Sequence, residues 1–231
     1  MTRSHRIIIS LLFSVLLTFQ VRAGEPAFKP GEEIHYKILQ MGIKVGEATL
    51  KFVGPTSVNS VDTFLIEFTA DGFNFYDKES IYVDPESFKP LTVKRDLNIF
   101  GKREKIEETY FPQDNKIIVA KTVKGVDSEQ VLIKSGEVDN IYGFIYRYRS
   151  SGGFRLGDQL DVTLPTKDIK MSVVKRSKLN IEGTQRDVFY LESKPSQYKL
   201  WFEATPKSLP LRISGAIGLA NTVMVLNDYK E

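Results

Sequence analysis

The chain contains no cysteine, so no disulfide can staple it and no thiolate can act as nucleophile or metal ligand. Histidine is nearly absent too, with only His5 and His35, which excludes a multi-histidine metal centre. A Ser-His-Asp triad would have to use His35. That residue lies opposite Ile34 and Tyr36 in an alternating run, and no Gly-x-Ser-x-Gly elbow occurs. His35 therefore reads as a surface or structural histidine. Phosphate cradles are missing as well: there is neither a Gly-x-x-x-x-Gly-Lys-Ser/Thr loop nor a Gly-x-Gly-x-x-Gly turn, and no other cofactor motif stands in for them.

Long apolar runs are also scarce. The one that exists, Ile7 to Phe19, falls short of the ~20 residues a helix needs to cross a bilayer. It follows a basic start with Arg3 and Arg6, and precedes the small-x-small triplet Val21-Arg22-Ala23. This is the layout of a secretory signal peptide over residues 1–23, cleaved to leave one β-rich domain over 24–231. Without a cysteine after the leader there is no site for lipid attachment. The expected product is a free protein of the periplasm, with full secretion the second choice and no transmembrane segment after cleavage. Arg3, Arg6 and Arg22 carry the whole formal excess of +3, so the remaining chain is electrically balanced. A global attraction to nucleic acid is not expected.

What is present is mostly period-two alternation. Phe64, Ile66, Phe68 and Ala70 share one face, as do Ile34, Tyr36 and Ile38, and then Ala48, Leu50 and Phe52. Similar runs follow at 80–83, 91–98, 103–111, 116–122, 129–133, 159–164, 169–178, 187–191, 198–202, 211–214 and 222–228. Between them lie turn-forming stretches such as Met41-Gly42-Ile43, Asp84-Pro85-Glu86, Phe111–Asn115, Glu182-Gly183-Thr184 and Thr205-Pro206-Lys207. One helix interrupts the strands. Ile141, Phe144, Ile145 and Tyr148 recur at helical spacing, Asp139 stands at the N-cap position, and Ser151-Gly152-Gly153 ends the helix. The expected fold is mainly β: a single curved antiparallel sheet forming an open barrel or sandwich, with one short helix near 139–149. The helix is either a lid or a core plug.

Carboxylates that could form a hydrolytic pair include Asp161, Asp168, Glu104, Glu107, Glu108 and Glu192, and strand spacing alone does not pair them. Lys94, Arg95, Lys102, Arg103 and Lys105 make a candidate anion patch around Phe100 and Gly101, diluted by neighbouring glutamates. Phe73, Phe75, Tyr142, Ile145 and Tyr146 are the candidate lining of an apolar cavity between sheet and helix. No residue stands out as catalytic or as a metal ligand.

The ordered motifs are Phe28-Lys29-Pro30-Gly31-Glu32, Met41–Ala48, Asp84–Pro90, the 139–149 helix, Leu200-Trp201-Phe202 and Leu209–Ile213. Together they resemble the bacterial exported domain-of-unknown-function 3108 (DUF3108) family, over about residues 28–227. The resemblance implies an exported, mostly β protein with no catalytic set to carry over. Gly42 and Gly46 then serve a turn and a close strand approach, and Trp201 a core anchor.

Three functions are consistent with these features. The first is a non-catalytic binding protein for a lipid or other apolar envelope ligand. The second is a structural or interaction protein holding an envelope protein or an anionic glycan. The third is a carboxylate-based hydrolase.

Overall fold

Five of the turns are two-residue hairpins in which both central residues have positive φ: Met41-Gly42, Asn59-Ser60, Phe100-Gly101, Lys124-Gly125 and Glu182-Gly183. That geometry matches the right-handed twist of the flanking strands, and it sets the register of each hairpin. A computed structural model describes residues 27–217 and 222–231. The expected leader lies outside the described residues.

The strands are β1 (Glu32–Gln40), β2 (Ile43–Val58), β3 (Val61–Gly72), β4 (Phe75–Val83), β5 (Pro90–Ile99), β6 (Lys102–Phe111), β7 (Lys116–Val123) and β8 (Val126–Ile133). After helix α1 (Ile141–Ser150) come β9 (Gln159–Leu164), β10 (Lys167–Ile181), β11 (Thr184–Lys194), β12 (Lys199–Glu203), β13 (Pro210–Ser214) and β14 (Thr222–Lys230). All pair antiparallel in one 14-stranded sheet, ordered β8 through β1, then β14 down to β9. Every neighbour is consecutive in sequence except β1 and β14, which join the two meanders.

The sheet curls but does not close by hydrogen bonding, because β8 and β9 remain its edges. The connection between those edges contains α1, so the chain carries the helix through the interior of the curl. The connection after β8 reaches the far end of the sheet: Asp139 N–H donates to the Thr163 carbonyl on β9 at 2.6 Å, and Lys134 Nζ lies 3.3 Å from Asp168 on β10. The expected curved sheet with one helix is what forms. β8 is exposed along nearly its whole length, including Val126, Val131 and Ile133.

Alternation sends one face of most strands inward, β8 excepted, and the buried side chains make one apolar cluster from Ile34 to Leu226. α1 is a core plug. Ile141, Tyr142, Phe144, Ile145 and Tyr146 are all buried, with Tyr142 stacked on Phe68 at 4.3 Å. Tyr146 packs against Phe28 and Phe52, at 4.8 and 5.3 Å between ring centroids. At the far end of the helix, Arg149 and Glu32 form a fully buried ion pair. Arg149 Nη2 donates to Glu32 Oε2 at 2.7 Å, and Arg149 also reaches the carbonyls of Ala27 and Lys207.

Two local expectations are corrected. The N-cap is Asn140, whose Oδ1 accepts from the Tyr142 and Gly143 amides at 2.8 and 3.4 Å. Asp139 is drawn away by Lys89 and Arg147, at 3.0 and 2.8 Å. Trp201 is not a core anchor. It alternates with inward Leu200 and Phe202, so its half-buried ring faces outward between Tyr190 and the Arg212 guanidinium.

Candidate binding site

Two cavities flank the segment that leads into α1. One is about 250 Å³, with mostly apolar walls that include Leu91, Tyr110, Phe111, Pro112 and Val138, and with Lys89 and Lys116 among its polar lining. The other is about 180 Å³ and polar, lined by Glu79, Arg95, Glu108, Asp139, Asn140 and Tyr198 among others. They adjoin through two structural elements. The inward row of β6 places Glu108 in the polar cavity and Tyr110 in the apolar one, with the Tyr110 hydroxyl donating to Glu108. The ion pair of Lys89 with Asp139 runs from one cavity wall to the other.

The polar cavity is built by strand parity. Phe75, Asp77, Glu79, Ile81 and Val83 all point inward from β4, so two acids enter the interior with the apolar side chains. Arg95, opposite Glu79 in the register, donates through Nε to Asp77 Oδ1 at 2.8 Å and lies 3.3 Å from Glu79. Burial opposes the Arg95 charge, but Asp77 and Glu79 outweigh that and hold it ionised. Burial pushes the Glu79 carboxyl up to about 7. Arg95 opposes this, Asp77 and Glu108 reinforce it, and a hydrogen bond with Asn140 opposes it weakly. Glu108 is raised for the same first reason, against the Tyr110 hydroxyl and Arg95. Burial also lifts the Tyr142 and Tyr198 hydroxyls, with Glu79 adding to it, so both stay neutral donors. A carboxyl near 7 can give or take a proton at neutral pH.

The aromatic candidates do not meet around one cavity. Phe73 stands on the β3–β4 turn and is 84% exposed, while Phe75, Tyr142, Ile145 and Tyr146 are interior packing residues. Of the candidate anion patch, Arg95 points inward to Asp77. Lys94, Arg103 and Lys105 share the outward parity, Lys94 lies 3.4 Å from Glu107, and Lys102 lies at the hairpin end 3.9 Å from Glu104. Of the six candidate carboxylates only Glu108 lines the polar cavity, while Asp161 and Asp168 are mostly exposed. His35 sits half-buried, 3.0 Å from Thr49 Oγ1 and 3.3 Å from Glu33. Among the described residues no cluster of three His, Cys, Asp or Glu can hold a metal ion. Asp77 and Glu79 were legible from their shared parity with Phe75 and Ile81, but only if β4 is begun before Ser80.

A family model described as a protein of unknown function (DUF3108) matches residues 33–226. Among solved structures, the chain is similar to a beta-barrel-like protein of the domain of unknown function DUF1849 from Brucella abortus. That similarity has a TM-score of 0.49 at 11% identity, covering 87% of this chain and 97% of the other. No curated protein matches the chain.

Proposed function

We propose that this chain, which belongs to the DUF3108 family of proteins of unknown function, is a non-catalytic binding protein of the bacterial periplasm that holds a small amphiphile beside the start of α1. The observation that carries this reading is the adjacency of an apolar cavity and a polar one on the two sides of a single connecting segment. The ligand does not lie between α1 and the sheet, because Tyr142, Ile145 and Tyr146 already fill that space. Export rests on the basic start, the apolar run and the small-x-small triplet of residues 1–23.

The size of the apolar cavity limits what it takes. At ~30 Å³ per water-sized group, 250 Å³ admits roughly eight such groups, the length of a short acyl or alkyl chain. Burying about eight methylenes at ~0.8 kcal/mol each gives about 6 kcal/mol gross. Association costs on the order of 4–15 kcal/mol, so the tail alone binds weakly and the polar cavity must add to it.

Calorimetric titration with eight-carbon amphiphiles tests the reading. Binding is expected, and Leu91→Trp, which fills the apolar cavity, is expected to abolish it while the unfolding temperature holds. Absence of binding by every such amphiphile, or binding unaffected by Leu91→Trp, overturns it. Periplasmic release of the full chain by osmotic shock is expected, and retention in the cytoplasm refutes the location.

A carboxylate-based hydrolase is the second reading, favoured by Glu79 and Glu108 lining one cavity with Glu79 near neutrality. Turnover of an aryl-glycoside panel that is lost in Glu108→Gln would support it.

A further inference from the structure

We infer that the polar cavity is a recognition site for a primary ammonium group, carried by the amphiphile of the proposed function. The inference rests on that reading for the tail and on separate observations for the head. Three carboxyl groups (Glu79, Glu108 and Asp139) line the cavity against one lining cation, Arg95, while Asp77 behind it pairs with Arg95, and Lys89 and Arg147 pair with Asp139. Arg95 is committed to Asp77 and Glu79, and both Lys89 and Arg147 lie on the same oxygen of Asp139, Oδ1. The other oxygen, Asp139 Oδ2, is buried and has no hydrogen-bond partner among the described residues. Asp139 is 2% exposed and lines the cavity. A buried acceptor without a donor is costly, and a ligand N–H fills that role.

The chemistry of the donor set decides the class of ligand. An anion would meet Glu79, Glu108 and Asp139 together. A divalent metal lacks the ligand geometry among the described residues. An ammonium supplies up to three donors and one positive charge, which the surplus carboxylate balances. The cavity, at about 180 Å³, has room for such a head.

The site also gives a pH signature. Around Glu79 stand Asp77 on its own strand, Arg95 on β5, Glu108 and Tyr110 on β6, Asp139 and Tyr142 at the helix start, and Tyr198 before β12. With Glu79 at about 7, its ionised fraction rises about tenfold between pH 6 and pH 8, and ammonium affinity rises with it.

The experiment compares n-octylammonium, n-octanol and octanoate by calorimetry, and adds tail-free ethylammonium while the Glu79 carboxyl is followed by carbon NMR. Octylammonium is expected to bind at least tenfold tighter than octanol at pH 8. Its advantage should shrink about tenfold at pH 6 and disappear in Glu79→Gln and Glu108→Gln, isosteric variants whose folding is checked by circular dichroism. Ethylammonium is expected to shift the Glu79 titration downward. Equal binding of octanol and octylammonium, or tightest binding of octanoate, overturns the head-group assignment and leaves the apolar reading standing. If no amphiphile binds but ethylammonium shifts Glu79, the apolar reading fails, the head site stands, and its source is a free amine. If neither occurs, both fall.

Discussion

Glu79→Gln should make the protein more stable at pH 8 and leave it nearly unchanged at pH 5. The folded state holds the Glu79 carboxyl at about 7, against 4.5 for an unperturbed one, chiefly because the group is buried. Between those values the folded chain keeps a proton that the unfolded chain releases. Stability therefore falls as pH rises through this window, by about 1.4 kcal/mol per unit. Over the window the loss is roughly 3 kcal/mol, and Glu79 is 7% exposed, so solvent screening removes little of it. Glutamine keeps the shape and carries no charge, and Arg95 retains its paired hydrogen bonds to Asp77. The assay is urea unfolding of wild type and variant at pH 5 and pH 8, compared at equal m-values. A stability difference that stays the same at the two pH values would refute the account of Glu79 as a desolvated acid. A variant less stable at pH 8 would show that its contact with Arg95 outweighs burial.

Four further outcomes follow from the packing. Arg149→Met leaves Glu32 charged and buried without its partner, costing about 3–5 kcal/mol and lowering Tm by roughly 6–20 °C in a scanning calorimeter. Adding Glu32→Gln to that variant should recover part of the loss. Gly72→Ala puts a Cβ 2.3 Å from the Phe75 ring and 2.4 Å from the Val45 carbonyl, so chemical denaturation should show a loss of about 1–3 kcal/mol. Gly42→Ala meets no atom within 4 Å and pays only for its φ of +84°, about 1 kcal/mol in the same assay. Asn140→Ala removes the cap of α1 and should cost about 1 kcal/mol of unfolding free energy by urea titration, and an unchanged stability in that variant would misplace the cap.

Much of the fold was legible because strand structure is a local pattern. The alternation in β1, β2 and β3 names their inward residues directly, and each two-residue turn names its hairpin. The helix was legible from Ile141, Phe144 and Ile145. Its cap was not, since Asp139 and Asn140 are both good caps and distant Lys89 decides between them. Trp201 misled because a lone tryptophan suggests a core, while its parity with Leu200 and Phe202 says otherwise. The candidate site was legible only in fragments. Glu108 stood among six equivalent acids, and Asp77 and Glu79 lay in the part of β4 that precedes its clearest alternation.

Local alternation, hairpin chemistry and one helical stretch thus determine by themselves a mainly antiparallel meander with a single helix. Those signals span two to four residues and need no distant partner. Tertiary structure alone decided that the sheet stays open between β8 and β9, that α1 plugs its interior, and that Glu79, Glu108, Asp139 and Tyr198 surround one cavity. Curvature is the sum of small twists over fourteen strands, so no single segment of the sequence encodes which residues it brings face to face.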